Sequence, residues 1–411
     1  MTFPPPELGW LGTPEEAKWP GLPESLETNP FVRYRKLLWS YQRALATGKS
    51  DSEFVEMVNR LDNQILNLTT ENKKNFNTSP LIPLDDLAKT IGQTGGIWAK
   101  NETTNVAGSH KARHLFGLAL HLEVEEVPIE TPLSIASCGN AALAAAVIAK
   151  AANRPLLVHV PTWANEWILD HLEEMGAKIR ICERQEDEPG DPCILRFRES
   201  VNEGALPFSC QGIENPWTID GGRTLGFEIV DALSATNIKI DRLFAQVGGG
   251  AMATSVTQAL TDAVNLGVLR HRPALNAVQS EGCAPLARAF NLVVETENPL
   301  TSLKNAFDNP ENFMWPWQDP ESSATGILDD ITYDWIPLVW DMLYGISPGG
   351  PVIATEKDII TAHKLIQDHT DISADTTGTS GLAGLLSARK DGCIKAEESA
   401  LILITGKERL N

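Results

Sequence analysis

Residues 242–264 have the sequence RLFAQVGGGAMATSVTQALTDAV, in which three glycines separate two segments of different character. The short apolar run Arg242 to Val247 predicts a buried strand, and the segment Ala251 to Val264 predicts a helix. Glycines at the junction predict a tight turn that a ligand can approach closely. A strand that leads through a short loop into a helix is the repeating unit of parallel α/β sheets.

The same alternation extends in both directions from this stretch. Strand-like and helix-like segments follow one another from residue 96 to residue 279, and an apolar strand returns at residues 401–406. This pattern predicts an α/β fold with parallel-rich twisted sheets covered by helices. Ligands of such sheets bind beyond the carboxyl ends of the strands, so we expect the chemistry in the loops that follow strands. The predicted strands are Gly96 to Lys100, Leu133 to Ala136, Leu156 to Val160, Lys178 to Cys182, Arg242 to Val247 and Ala274 to Gln279, and the predicted helices are Lys111 to Glu123, Ala141 to Ala152, Asn165 to Met175, Thr224 to Leu233 and Ala251 to Val264.

The chain length predicts a two-domain fold, because 411 residues exceed what a single hydrophobic core usually holds. We expect a large ligand-binding domain formed by residues 1–105 and 206–411, and a small mobile domain formed by residues 106–205. The large domain carries an N-terminal extension with two helical stretches, Phe31 to Ala46 and Ser52 to Leu68. Residues 296–350 break the alternation, and we interpret them as an insertion over the site or as a subunit contact.

The charge balance restricts the class of partner. The chain has 34 lysines and arginines against 54 aspartates and glutamates, a formal net charge of −20, which argues against nucleic acid and an anionic membrane. Its apolar runs are far shorter than the ~20 residues of a membrane span. Met1 to Pro6 have neither the basic start nor the apolar stretch of a signal peptide. We therefore expect a cytoplasmic protein.

Cysteines and histidines give no sign of a metal centre. The six cysteines are scattered without a CxxC pair, which favours reduced thiols. His110 and His114 are spaced i, i+4, as metal ligands on one helix face often are, but no third ligand is evident nearby. We predict no metal site.

The turn Gly248-Gly249-Gly250 predicts a phosphate site. Glycines between a strand and a helix allow several amides to converge on a phosphate at the positive end of the helix. The segment also fits a GxGxxA dinucleotide turn, with Glu281 at the end of the following strand as a ribose-binding acid. An NAD-dependent oxidoreductase is therefore an alternative, although it explains this turn alone.

A second loop, residues 105–113, carries Lys111. Ser109 is a plausible N-cap, which would put Lys111 in the first turn of the following helix. An amine near the positive end of a helix and partly desolvated has a lowered pKa, as a lysine that forms a Schiff base at neutral pH requires.

A third loop, Ser137-Cys138-Gly139-Asn140, lies between an apolar strand and an alanine-rich helix. Free backbone amides at such a junction suit a substrate carboxylate. The Asn140 side chain is able to hydrogen-bond a phenolic ring oxygen. The same residues also fit a plain helix cap without a function.

A fourth element is the buried strand 401–404, which is followed by Thr405. A neutral hydroxyl beside a pyridine nitrogen leaves that nitrogen largely unprotonated, which limits the electron sink. Such tuning suits elimination or replacement at a side chain better than transamination. A simple strand end is the alternative interpretation of Thr405.

Taken together and in this order, the four elements resemble the fold-type II pyridoxal-phosphate enzymes, the threonine synthase and serine/threonine dehydratase group, whose fold is that of the tryptophan synthase β chain. The resemblance covers Thr78 to the C-terminus, with residues 296–350 poorly matched. It implies pyridoxal 5'-phosphate as cofactor, because Gly108-Ser109-His110-Lys111 is similar to the GSxK motif whose lysine forms the Schiff base. It further implies carboxylate binding by Ser137 to Asn140, contact of Asn140 with the ring oxygen, a phosphate cup at Gly248, Gly249, Gly250, Ala251 and Met252, and Thr405 at the ring nitrogen.

Within the group the sequence is most similar to threonine synthases. Residues 215–224, NPWTIDGGRT, resemble the NPYRIEGQKT stretch, residues 278–286 resemble VQAEGxAPL, and Arg33-Tyr34-Arg35 resembles the N-terminal RYR. The sequence departs from the pattern at His110, where Phe is usual, at Ala112, where Asp is usual, and at Ala251, where glycine or asparagine is common. Asp375 also stands where a glutamate often precedes proline.

These observations predict a pyridoxal-phosphate-dependent lyase or synthase that acts on the β or γ carbon of a small amino acid. Threonine synthesis from phosphohomoserine is the first expectation, and serine/threonine dehydration is the alternative. A catalytically silent ligand-binding relative is disfavoured because Lys111 is retained. Phosphohomoserine requires a second anion site, for which Arg113 and Arg223 are candidates. The N-terminal extension and the tryptophans of residues 296–350 favour a homodimer.

Overall fold

The computed structural model describes residues 11–21, 26–68, 74–186, 188, 190–236 and 238–409. Its strands are β1 (Leu81–Pro83), β2 (Ile97–Asn101), β3 (Leu133–Ala136), β4 (Leu156–Pro161), β5 (Lys178–Cys182), β6 (Leu206–Pro207), β7 (Arg242–Gln246), β8 (Ala274–Ser280), β9 (Gly350–Ala354) and β10 (Ala400–Ile404). The first eight helices are α1 (Pro30–Arg33), α2 (Trp39–Ala46), α3 (Asp51–Leu68), α4 (Asp85–Ile91), α5 (Lys111–Val124), α6 (Asn140–Ala151), α7 (Glu166–Glu174) and α8 (Pro192–Asn202). The others are α9 (Trp217–Thr236), α10 (Ala251–Asn265), α11 (Pro285–Val294), α12 (Pro299–Asp308), α13 (Trp335–Tyr344), α14 (Glu356–His369) and α15 (Thr376–Lys390).

The described residues group into two compact units. The first unit contains Ser79–Thr104 and the described part of Leu225–Leu410, and the second contains the described parts of Thr13–Thr78 and Asn105–Thr224. This grouping differs from the expected domains, because residues 13–78 and 206–224 have their contacts in the second unit. Assignment of a ligand-binding and a mobile domain remains a prediction.

The first unit is built on a six-stranded sheet of order β1-β2-β10-β7-β8-β9. β1 pairs antiparallel with β2, and all other neighbours are parallel. Alternate strand residues such as Phe244, Val278 and Ile402 pack with α4, α14 and α15 on one face. α10 and α13 contact the sheet as well, and the intervening residues Leu243 and Leu401 are also buried. Burial on both faces is what the unbroken apolar runs of these strands predict.

The second unit has a four-stranded parallel sheet of order β5-β4-β3-β6. Helices α6 and α8 pack on it. The N-terminal helices belong to this unit through an aromatic cluster, in which the ring centroids of Phe31, Phe76 and Phe116 lie 4.5–5.1 Å apart. Aromatic rings at such distances contribute about 0.5–1.5 kcal/mol per pair beyond their burial.

Most predicted elements are present within one or two residues of the expected bounds. Two predictions were wrong in extent. The stretch Phe31 to Ala46 is broken into α1, a 3-10 turn at Arg35–Leu37 and α2, because Leu38 has the extended backbone angles φ −93° and ψ 139°. The helix expected from Thr224 begins seven residues earlier, at Trp217. None of the described helices combines the length and apolarity that a membrane crossing needs.

Candidate active site

The glycine turn connects β7 to α10 in the first unit, as predicted. Gly250 is the N-cap of α10 and has a left-handed backbone with φ +99°, which favours glycine. No side chain caps this helix end. The positive end of a 15-residue helix is therefore presented by backbone groups alone.

Six consecutive backbone amides, Gly248 to Ala253, donate no hydrogen bond to any residue that the structure describes. Five of these residues are buried, and Gly249 is partly buried. Buried amides almost always have an acceptor. A row of them at a helix N-terminus matches an anion with several oxygens, such as a phosphate. The orphaned amides fit the phosphate cup that the sequence predicted over Gly248 to Met252.

Part of the expected insertion lies against this turn. The amide of Asp334 donates to the carbonyl of Gly249 at 2.8 Å. A Cβ on Gly248 would collide with the carboxylate of Asp329, and one on Gly249 would lie 3.2 Å from the Tyr333 ring. We call residues 327–334 the covering segment. Because the covering segment lies so close to the turn, glycine is required at Gly248 and Gly249. The sequence pattern did not reveal this reason.

Thr405 follows β10, the neighbour of β7, and so lies at the same carboxyl edge of the sheet as the glycine turn. It is 2% exposed. The side chain of Gln246, the last residue of β7, donates through Nε2 to Thr405 Oγ1 at 2.7 Å. The same Nε2 is within hydrogen-bond distance of the carbonyls of Thr377, Gly378 and Leu403. Gln246 thus ties Thr405 to the start of α15.

Helix α15 begins beside Thr405 and packs closely on the sheet. Its N-cap is Asp375, whose carboxylate accepts from the amide of Gly378 at 2.5 Å, and burial raises the pKa of this carboxyl. A Cβ on Gly378 would lie 2.6 Å from the carbonyl of Gly406, and one on Gly381 would lie 3.0 Å from that of Phe244. The glycines therefore bring the helix to backbone distance from the strand ends. Sequence reasoning missed this helix, although glycines spaced by three residues were a signal for close helix packing.

Lys111 is the first residue of α5 in the second unit, as predicted. The expected cap was wrong, because the N-cap position is taken by His110 without a capping side chain, and Ser109 Oγ is buried without a partner among the described residues. Ser109 stays extended, with φ −158°, because the preceding turn sets its backbone. Within that turn Ala107 has φ +53° and Gly108 φ +68°. A left-handed alanine is strained, and such strain clusters at functional sites.

The loop Ser137 to Asn140 joins β3 to α6, as predicted. α6 begins at Asn140 without a capping side chain, and the amides of Ala141 and Ala142 donate to no residue that the structure describes. The turn Val106–Gly108 packs against α6, so the second unit brings the lysine loop close to this helix. Burial raises the pKa of Cys138 to about 11, assisted by the negative charge of Asp191. The Cys138 side chain is therefore a neutral thiol at neutral pH.

The two candidate guanidinium groups for a second anion are already engaged. Both Arg113 and Arg223 are fully buried. Arg113 donates to Thr224 Oγ1 at 3.1 Å, and Arg223 lies 3.4 Å from a carboxylate oxygen of Asp220. Asp220 also accepts a hydrogen bond from His121. Burial acts to raise the pKa of the Asp220 carboxyl, but this hydrogen bond and the other polar neighbours of the carboxyl outweigh burial and lower the pKa. Both guanidinium groups therefore already have partners within the second unit.

Glu281, the acid of the dinucleotide alternative, has a different role. It accepts a hydrogen bond from the amide of Glu356 at 2.8 Å, the first residue of α14. An acceptor at that position stabilises the helix start. The geometry around Glu281 gives the oxidoreductase alternative no support.

The family model described as "Pyridoxal-phosphate dependent enzyme" matches residues 74–406, and the chain belongs to this family. It is similar to the threonine synthase of Methanocaldococcus jannaschii, with 25% identity over 80% of this chain and 74% of the relative. It is also similar to the threonine synthase of Mycobacterium tuberculosis, with 25% identity over 80% of both chains.

Among solved structures, diaminopropionate ammonia lyase from Escherichia coli superposes with a TM-score of 0.63 at 15% identity, covering 97% of this chain and 93% of that one. Maize serine racemase superposes with a TM-score of 0.62 at 17% identity, covering 86% and 94%. At these identities the likeness shows the fold, which is that of the fold-type II pyridoxal-phosphate enzymes. The predicted fold class and the predicted cofactor, pyridoxal phosphate, are confirmed.

Proposed function

We propose that this protein is a pyridoxal-phosphate-dependent enzyme that removes or replaces a group on the β or γ carbon of a small amino acid. The observation that carries the proposal is the row of six amides from Gly248 to Ala253, five of them buried, which donate to no residue in the described part of the chain. It supports a phosphate site in a family whose cofactor carries a phosphate. Thr405 lies at the end of the adjacent strand β10, and its neutral hydroxyl supports the assignment of this residue as partner of the cofactor ring nitrogen.

The proposal gives each predicted site residue a role. Gly248 to Met252 would hold the cofactor phosphate, and Thr405 would donate its hydroxyl hydrogen to the ring nitrogen. Lys111 would hold the cofactor covalently through Nζ, and Asn140 would donate to the ring oxygen. When bound, pyridoxal phosphate supplies an electron sink for negative charge at the substrate α carbon.

The substrate is proposed to bind at the loop after β3. The amides at the start of α6 suit its carboxylate, with Ser137, Cys138 and Gly139 as the lining of the loop. A neutral Cys138 thiol adds no charge that would repel that carboxylate. Lys111 Nζ, once free, would take the proton from the α carbon and return it later as a general acid.

Conversion of phosphohomoserine and water into threonine and phosphate is our first candidate reaction. It is supported by relatives named threonine synthase along 80% of the chain. Dehydration of serine or threonine to a keto acid and ammonia is the second candidate. The engagement of Arg113 and Arg223 favours this second reaction, because it needs no site for a substrate phosphate.

The two reactions are separated by turnover assays on purified, cofactor-loaded protein. With phosphohomoserine, the first candidate predicts equal amounts of phosphate and threonine and no keto acid. With serine or threonine, the second candidate predicts keto acid and ammonia. Lys111→Ala serves as the matched control for the activity of contaminating host enzymes, because this variant lacks the proposed proton carrier. Cofactor-loaded protein that converts none of the three substrates would contradict both candidate reactions.

The homodimer and the cytoplasmic location belong to the same proposal. The acidic composition supports a protein that works apart from nucleic acids and anionic membranes. Light scattering on the purified protein should give twice the chain mass of 44.8 kDa. A monomer at all concentrations would contradict the dimer.

A further inference from the structure

A buried glutamine holds the hydroxyl that the proposed function assigns to the ring nitrogen. Gln246 is 5% exposed and Thr405 is 2% exposed. Among the described residues, the partners of Gln246 Nε2 are oxygens, namely the carbonyls of Thr377, Gly378 and Leu403 at 3.1–3.2 Å and Thr405 Oγ1 at 2.7 Å. Three carbonyl partners identify this atom as the amide nitrogen, because an amide oxygen there would face three acceptors.

The direction of the short hydrogen bond follows from this assignment. An amide nitrogen can only donate, so Thr405 Oγ1 accepts in this contact. A hydroxyl that accepts through a lone pair turns its hydrogen away from the donor. Gln246 therefore excludes the orientations of the Thr405 hydroxyl in which its hydrogen points toward β7.

Gln246 also binds backbone carbonyls of the two segments that flank it, α15 and β10. The carbonyls of Gly378 and Leu403 lie close enough to Gln246 Nε2 to share its hydrogens. Without that nitrogen, this constraint on the orientation of the Thr405 hydroxyl is lost. The side chain at residue 246 thus restricts the directions in which the Thr405 hydroxyl can donate.

We infer that Gln246 is a positioning residue that sets Thr405 as a hydrogen-bond donor to the cofactor ring nitrogen. The inference rests on the proposed function, in which Thr405 meets that nitrogen. Gln246 itself touches neither substrate nor cofactor in this account. Its effect is to keep the nitrogen hydrogen-bonded and unprotonated.

The test is nitrogen NMR of the holoenzyme loaded with pyridoxal phosphate labelled with ¹⁵N at the ring nitrogen. Gln246→Met keeps the length of the side chain and removes the donor. The ¹⁵N resonance should move toward the position of a pyridine nitrogen that accepts no hydrogen bond. Cofactor affinity should fall about tenfold, as expected for one lost hydrogen bond of a buried network.

Gln279→Met is the matched control. Gln279 is a fully buried glutamine in the adjacent strand β8, and it binds the carbonyl of Val247 and the hydroxyl of Thr332 but not Thr405. This variant should leave the ¹⁵N resonance in place, even if it lowers the free energy of unfolding. A structural role alone would make the two variants alike.

A double-mutant cycle completes the test. In a Thr405→Val background the hydroxyl is absent, so Gln246→Met should cause no further change of the ¹⁵N resonance. If Gln246→Met fails to fold, Gln246→Glu at high pH offers a side chain of the same shape that accepts from Thr405, and it should move the resonance in the same direction.

An unchanged resonance in folded, cofactor-loaded Gln246→Met or Gln246→Glu would overturn the inference. So would a change of equal size with and without Thr405. Failure of the proposed function is a different result, because wild-type protein that binds no pyridoxal phosphate would give no ¹⁵N signal from the cofactor.

Discussion

The backbone amide of Asp334 donates to the carbonyl of Gly249 at 2.8 Å, which fixes the covering segment on the glycine turn. The segment and the turn are separated by about eighty residues in sequence. Together they explain why three successive positions are glycine, because neighbouring residues, most of them in the covering segment, lie where side chains at these positions would need space.

The first prediction concerns Gly250. Gly250→Ala should lower the free energy of unfolding by about 1–2 kcal/mol, because alanine at φ +99° is strained. Its Cβ would also lie 3.2 Å from Asp334 and Leu338, so the turn should shift and the cofactor should bind more weakly. Equilibrium unfolding and a cofactor titration measure the two effects.

Gly267→Ala is the control for backbone strain alone. Gly267 has φ +73° after the end of α10, with open space around it. It should show a comparable loss of stability with unchanged cofactor affinity. Equal affinities in the two variants would remove the glycine turn from the cofactor site.

The second prediction concerns the strained turn before Lys111. Ala107→Gly should raise the free energy of unfolding by about 0.5–1 kcal/mol, because glycine adopts φ +53° without a steric penalty. Ala152→Gly, at the ordinary φ of −79°, should instead lower it. Denaturant unfolding of both variants checks the pair, and a stability loss in Ala107→Gly would contradict the assigned strain.

The third prediction is a pH dependence caused by His159. Burial lowers the pKa of this imidazole to about 4 from 6.5, and the charge of Arg180 adds to the effect. Between these values the unfolded chain binds the proton and the folded chain does not. The stability that His159 contributes is therefore present above pH 6.5 and is lost as the pH falls toward 4, by up to about 3 kcal/mol.

His159→Asn should abolish this part of the pH dependence. Urea unfolding of the wild type and the variant at about pH 7.5 and about pH 4.5 provides the comparison. The wild type should lose more stability on acidification than the variant. Parallel losses would show that His159 is protonated in the folded protein at the lower pH.

The fourth prediction concerns Thr405. Thr405→Asp should retain part of the cofactor, slow the main reaction roughly tenfold or more, and raise transamination. A carboxylate keeps a pyridine nitrogen protonated and deepens the electron sink, whereas a hydroxyl does not. Product analysis by chromatography measures the change. Thr405→Ser, which keeps the hydroxyl, should resemble the wild type, and unchanged products in folded Thr405→Asp would place Thr405 outside the site.

The parts of this fold that the sequence predicted are those with local signals. β3 and β5 have the predicted bounds, and Lys111 begins its helix, because apolar runs and helix starts depend on neighbouring residues. The cap at Ser109 failed because the left-handed Ala107 and Gly108 set the backbone before it. Gln246 escaped notice because its partners come from β10 and α15, more than 130 residues away.

Contacts between distant segments had no signal in the pattern. The covering segment has neither a helical nor a strand period, and the attachment of Phe31 to Phe116 depends on packing alone. Arg113 and Arg223 looked like anion ligands by residue type, yet Thr224 and Asp220 already bind them. Residue type suggests a role, and the neighbours in the fold decide it.

The central claim, that Lys111 carries pyridoxal phosphate, is tested most directly by borohydride reduction of the purified holoenzyme followed by peptide mass spectrometry. We expect the yellow protein to bleach and the reduced cofactor to be found on the peptide that contains Lys111, with none on Lys100, whose buried amine binds Glu228 at 2.6 Å. Lys111→Ala should give no reducible label. Label on another lysine, or a wild-type protein that takes up no pyridoxal phosphate, would contradict the account.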